Sequence, residues 1–97
     1  MGTLVQFRRE VHANPELSFR EIATTERLMN RLREAGMNPV ACEGTGCYVD
    51  IGSGPFAVAL RADIDALPIV EQTNLPYAST VPGVMHACGH DIHQTVM

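Results

Sequence analysis

The feature that most limits how this chain can fold is a change of period at Gly36. Before it, apolar residues recur at helical spacing; after it they alternate as they do in strands. Leu4, Phe7 and Val11 form the first helical stripe. Asn14-Pro15 closes that stripe, because the residue before a proline is pushed out of helical geometry, so the spacing predicts a helix over about 3–13. Ser18 and Glu21 stand in the capping-box pattern, which places the start of a second helix at Phe19. Its apolar stripe is Ile22, Leu28, Met29, Leu32 and Ala35, its polar face carries Arg20, Glu26, Arg27 and Arg31, and Gly36 supplies a left-handed stop.

Beyond Gly36, Pro39–Cys42 and Cys47–Ile51 flank a Glu43-Gly44-Thr45-Gly46 turn, the pattern of a hairpin. Gly52-Ser53-Gly54-Pro55 turns the chain again. Phe56–Leu60 is then an unbroken apolar run, expected to be the most buried strand and covered on both faces. Asp63 and Asp65 follow at its carboxyl end, where open α/β sheets build their sites; an ion pair with Arg61 is the plainer use of these carboxylates. From Ile69 to Val84 the prolines and Gly83 block regular structure, and Tyr77 offers a ring to pack. A last helix opens near Asp91, with Ile92, Thr95, Val96 and Met97 as its apolar stripe and no stop signal. The expected fold is α/β: two amino-terminal helices and then a β-meander, in a chain that is one part of a larger domain.

Ninety-seven residues leave room for one domain. No apolar run approaches the ~18–20 residues of a membrane span, and Met1–Arg9 lacks the apolar core of a secretory signal, which makes the cytoplasm the default location. A net charge of −4, with no basic run longer than Arg8-Arg9, argues against nucleic acid as a partner. Three cysteines exclude a complete disulfide framework and leave burial, metal binding or catalysis. Cys42 and Cys47 read as strand residues facing each other across the hairpin.

Three of the four histidines and the third cysteine fall in Met85-His86-Ala87-Cys88-Gly89-His90-Asp91-Ile92-His93. Thiolate and imidazole are donors suited to zinc and its neighbours, and Asp91 adds a harder oxygen. In extended backbone, side chains two apart share a face, so His86, Cys88 and His90 would point together and two of them could touch one ion. Taken singly, each is more often a hydrogen-bonded histidine or a buried cysteine. Cys88 as a nucleophile, with His90 or His93 as base, is the weaker reading, because catalytic partners normally meet through the fold. His12 is expected to be structural, at a helix end where a cationic ring is favoured, and Glu16 likewise.

Arg61-Ala62-Asp63-Ile64-Asp65-Ala66-Leu67-Pro68, the Pro76-Tyr77-Ala78-Ser79 loop and Gly83–Asp91 together resemble the M20 metallopeptidase family. The resemblance is to its amidohydrolase branch, which includes hippurate hydrolases, N-acyl-amino-acid amidohydrolases and hydrolases of auxin–amino-acid conjugates. Arg9–Phe19 is similar to that branch as well. The resemblance implies a mixed-sheet catalytic domain, of which residues 1–97 are the amino-terminal portion. It also implies two divalent ions (manganese, zinc or cobalt), a small N-acyl-amino acid or amide substrate, and a homodimer, with no nucleic-acid or membrane partner. It carries Cys88 and His90 over as metal ligands and Asp65 as the aspartate supporting a ligand; Asp63 receives no role. The family's glutamate ligand, its later histidines and its general-base glutamate have no counterpart in this sequence, so the chain alone is expected to be inactive. Asp91, His86 and His93 remain candidates for support. The alternative is a non-catalytic metal-binding or interaction module, which would need His86 or His93 to complete a closed site.

Overall fold

The computed structural model describes residues 2–55 and 58–97. Helix α1 (Gly2–Ala13) occupies the expected stretch. It buries Phe7 and Val11 and ends where the Asn14 side chain donates to the Glu10 carbonyl at 2.8 Å, just before Pro15.

Helix α2 (Ile22–Glu34) begins three residues later than Phe19, and the capping box does not form. The Ser18 hydroxyl is 3.3 Å from Asp65 Oδ2 instead, and Glu21 Oε2 accepts from the Thr45 hydroxyl at 2.7 Å. The reason lies in the preceding residues. Leu17 pairs in parallel with Ala66, and the Arg20 N–H turns back to the Leu17 carbonyl at 3.0 Å, which leaves Phe19 in the left-handed region at φ +65°. Capping passes to Glu16, whose carboxylate accepts the N–H groups of Ala23 and Thr24 at 3.2 and 2.5 Å. These are two of the donors that a helix start leaves without internal partners. Glu16→Ala is therefore expected to cost about 1 kcal/mol in urea denaturation, and Ser18→Ala much less. At the other end the sequence reading holds. Gly36 has φ +84°, with Gly36 N–H to the Arg33 carbonyl and Met37 N–H to the Leu32 carbonyl, each at 3.0 Å, which is a Schellman stop.

Strands β1 (Val40–Ala41) and β2 (Cys47–Tyr48) pair antiparallel, Val40 opposite Tyr48 and Ala41 opposite Cys47, as the hairpin pattern predicts. The face that α2 buries is Thr24 and Thr25, whereas Leu28, Met29 and Leu32 are half-buried and Ile22 is 63% exposed. What meets Thr25 is turn backbone, which needs hydrogen-bond partners that alkyl groups cannot provide: the Gly46 N–H donates to Thr25 Oγ1 at 2.7 Å. Cys42 and Cys47 do not face each other as strand residues: Cys47 in β2 lies opposite Ala41, Cys42 falls just past β1, and both are free thiols. Burial raises the Cys47 thiol above its ordinary pKa, and Cys42 adds to this against the pull of Arg33.

Among the described residues the expected central strand is not found. Phe56 and Ala57 lie outside the described residues; Val58–Leu60 forms no strand, with Val58 and Leu60 both 78% exposed. An apolar run made for two covered faces needs a pairing strand and a covering layer, and the described residues place neither against it. Isolated bridges do the stitching here, Leu17 with Ala66 and Leu67 with Met85. Helix α3 (His90–Val96) packs on α1. Its buried residues are Asp91 and Gln94, while Ile92 and Val96 of the predicted apolar stripe are exposed. The resulting fold is three helices and a two-stranded antiparallel sheet among the described residues, none of the helices long and apolar enough to cross a membrane. Its interior is slight among the described residues: the buried apolar side chains there are Phe7, Val11, Pro15 and Ala66. The radius of gyration, 14.0 Å, exceeds the roughly 12.5 Å of a compact domain of this length.

Candidate metal centre

The antiparallel bridge from Leu67 to Met85, closed by paired hydrogen bonds of 2.9 and 3.0 Å, brings the Asp63–Asp65 segment beside the histidine-rich one. The second segment is not extended throughout. Ala87 N–H turns back to the Met85 carbonyl, Gly89 is left-handed at φ +88°, and α3 starts at His90. This break separates the three residues expected on one face: His86 is buried, Cys88 exposed and His90 half-buried.

His90 is the best-oriented donor. Its Nδ1 lies 2.9 Å from Asp65 Oδ1 and 3.0 Å from the Asp65 carbonyl oxygen. Both partners are acceptors, so Nδ1 carries the proton and the lone pair sits on Nε2. That nitrogen is 4.0 Å from Asp63 Oδ2, while Asp63 Oδ1 pairs with Arg61 at 2.9 Å on the exposed surface. Cys88 is a free, exposed thiol two residues before His90. The exposed His93 ring stacks beside the His90 ring at 5.8 Å.

The donor chemistry fits a transition ion: a thiol, and an imidazole held by a carboxylate with its other nitrogen free. The number of donors does not complete a site. Among the described residues, no group of three or more histidine, cysteine, aspartate or glutamate side chains is placed to hold an ion.

Behind His90 lies a second, buried network that supports the helix start. Asp91 Oδ2 accepts from Arg8 Nε at 2.9 Å and contacts His12 Nδ1 at 2.8 Å. His12 Nε2 in turn meets Glu71 Oε2 and Oε1 at 3.0 and 3.1 Å. The expectation that His12 is structural fits this geometry, but its nitrogens serve carboxylates and not helix carbonyls. His86, buried close by, has no hydrogen-bond partner at either ring nitrogen among the described residues. Burial pushes its pKa below the ordinary histidine value; nearby Asp91 opposes this, and His12 and His90 reinforce it.

Glu71 and Arg8 were not legible as members of this network. Glu71 sits in a proline-bounded loop without a motif, and only the folded chain brings it to His12, 59 residues away in sequence. Burial opposes ionisation of Glu71, yet hydrogen bonds from Thr73, His12 and Ser79 outweigh it and hold the carboxyl down at about 2, against an ordinary 4.5. A depressed carboxyl contributes stability that is complete above its unfolded value and lost as pH falls through its folded value. Denaturant midpoints are thus expected to drop between pH 4.5 and about 2, and Glu71→Gln to flatten that part of the profile.

Residues 59–97 match the model of peptidase family M20/M25/M40. The chain is 47% identical over 97 residues to the IAA-amino acid hydrolase ILR1-like 5 of Arabidopsis thaliana, covering 97% of this chain and 22% of that protein. It is 50% identical over 95 residues to the N-acetylcysteine deacetylase of Bacillus subtilis (strain 168), covering 93% of this chain and 25% of that one. Among solved structures, the Bacillus subtilis YXEP protein, described as a dinuclear metal binding peptidase from the M20 family, superposes with a TM-score of 0.90 at 47% identity, over 97% of this chain and 27% of that one. The chain spans about a quarter of the length of these relatives. By family pattern over residues 59–97, and by sequence and fold over nearly its whole length, the chain is similar to M20 peptidases and to amidohydrolase-type proteins.

Proposed function

We propose that residues 1–97 are the amino-terminal portion of the catalytic domain of an amidohydrolase that cleaves N-acyl-amino acids or similar amides, with Cys88 and His90 as metal ligands and Asp65 as their support. The observation that carries this is the grip of Asp65 on His90 Nδ1 at 2.9 and 3.0 Å, which leaves Nε2 free. A carboxylate that accepts from the far ring nitrogen in this way fixes the tautomer and ring direction of a metal-binding histidine and raises its basicity. When bound, a pair of divalent ions would polarise the amide carbonyl and lower the pKa of water near neutral pH. Cys88 would enter as the thiolate, and its exposure leaves it open to an ion.

The names of the relatives support an acylated amino acid as the substrate class. Replacing the matching segment of the Bacillus subtilis N-acetylcysteine deacetylase with residues 1–97 should give an enzyme that still hydrolyses N-acetylcysteine and loses that activity on Cys88→Ser. A folded but inactive chimera would sink the proposal. The isolated chain, supplied with manganese, zinc or cobalt, is expected to show no turnover. The module alternative needs His86 or His93 in the ligand set; the burial of His86 counts against the first, and among the described residues no group of three or more donors is placed to hold an ion.

A further inference from the structure

Helix α3 begins with His90 and is anchored by the next residue. Asp91 is 1% exposed, and both groups it binds, Arg8 and His12, come from α1. His12 is itself held at both ends, by Asp91 through Nδ1 and by Glu71 through Nε2. Every hydrogen-bonding atom facing the His12 ring nitrogens is a carboxylate oxygen. A neutral imidazole has a single N–H, so it would set a lone pair against one of the two carboxylates; only the ring with both protons donates to both. Arg8 and His12 then balance Asp91 and Glu71, and the buried set carries no net charge, as buried ions require. The other groups facing His12 are the Tyr77 ring, edge-on at 5.7 Å under Arg8 and Arg9, and the His86 ring at 6.5 Å.

Glu71 is fixed in its turn. It accepts the Ser79 N–H at 2.9 Å and the Thr73 hydroxyl. The loop that carries it docks on the end of α1, where the N–H and hydroxyl of Thr80 reach the Ala13 carbonyl at 2.8 and 2.7 Å. A continuous line of contacts therefore runs from the loop through Glu71 and His12 to Asp91, the residue adjoining His90.

We propose that His12 is a positioning residue, a cationic strut between Glu71 and Asp91 that sets the first turn of α3 and with it the direction of His90 Nε2. The proposal rests on the reading of His90 as a metal ligand, on which His12 acts only through Asp91. The first test is metal-free: two-bond proton–nitrogen correlation spectra of the nitrogen-15-labelled chain near neutral pH. Both His12 nitrogens should be protonated, and His90 should carry its proton on Nδ1. A single protonated nitrogen on His12 overturns the strut.

The second test uses His12→Gln and Glu71→Gln, each checked for a cooperative thermal transition. In folded variants the His90 Nδ1–H signal should weaken and cobalt(II) affinity should fall about tenfold, the lower end of what loss of a supporting group costs a metal site. Glu71→Gln leaves His12 paired with Asp91 and so serves if His12→Gln fails to fold. An unchanged His90 signal and cobalt affinity in a folded variant overturns the positioning role, as does loss of the fold in both, which would make His12 purely structural. Should the unsubstituted chain bind no cobalt, the ligand reading of His90 fails, while the metal-free spectra still decide the strut.

Discussion

Asp91→Ala is expected to abolish cooperative folding of this chain. The side chain is 1% exposed and pairs with Arg8 and His12, so its removal takes away the acceptor of Arg8 and of His12 Nδ1, and His12 keeps only Glu71. Breaking a buried ion pair from one side costs about 3–5 kcal/mol, a large part of the roughly 5–15 kcal/mol that keeps an ordinary domain folded. This chain has less in reserve, since the buried apolar side chains among the described residues are Phe7, Val11, Pro15 and Ala66. The substitution also removes the acid in the first turn of α3, where negative charge favours the helix. Circular dichroism in a urea titration checks this: the variant should show a weakened helical signal and no sigmoidal transition. A transition at the unsubstituted midpoint would mean that the Arg8–Asp91–His12 set adds nothing to stability.

The second large effect is on metal affinity. Asp65→Ala should weaken cobalt(II) binding roughly 10- to 100-fold, the usual cost of losing the group that orients a ligand histidine. Cys88→Ser and His90→Ala should cost more than that, because each removes a donor outright. Asp63→Ala should cost least, since Asp63 is half-exposed and one of its oxygens is engaged by Arg61. Equilibrium dialysis with metal analysis ranks the four variants. An Asp63→Ala effect larger than that of Asp65→Ala would reverse the assigned roles of the two carboxylates.

What could be read from the sequence follows the range of the interactions involved. The first helix, the hairpin and the stop at Gly36 depend on spacing, proline and glycine within a few residues, and these were legible. The start of α2 was not. Ser18-x-x-Glu21 has the right local form, but Leu17 is drawn into a bridge with Ala66, and Glu16 caps the helix instead. Burial was misread where a polar partner decided it: α2 turns Thr25 inward to accept from the hairpin turn, and α3 turns in Asp91 to meet Arg8 and His12. The strand expected at Phe56–Leu60 has the composition of a covered strand, yet its described part, Val58–Leu60, has no partner beside it. Of the candidate site, Asp65 and His90 are brought together and Cys88 lies at the surface two residues away. His86 is turned into the interior, because the chain turns back at Ala87 and again at Gly89, which breaks the alternation on which a shared face depended.

Cobalt(II) titration of the 97-residue chain, followed through the near-ultraviolet thiolate-to-cobalt charge-transfer band, probes the metal ligands most directly. With Cys88 and His90 as donors, the band should appear in the unsubstituted chain, vanish in Cys88→Ser, weaken in His90→Ala, and persist when Cys42 and Cys47 are both replaced by serine. Absence of the band, or a band that survives Cys88→Ser and is lost with Cys42 and Cys47, would contradict that assignment.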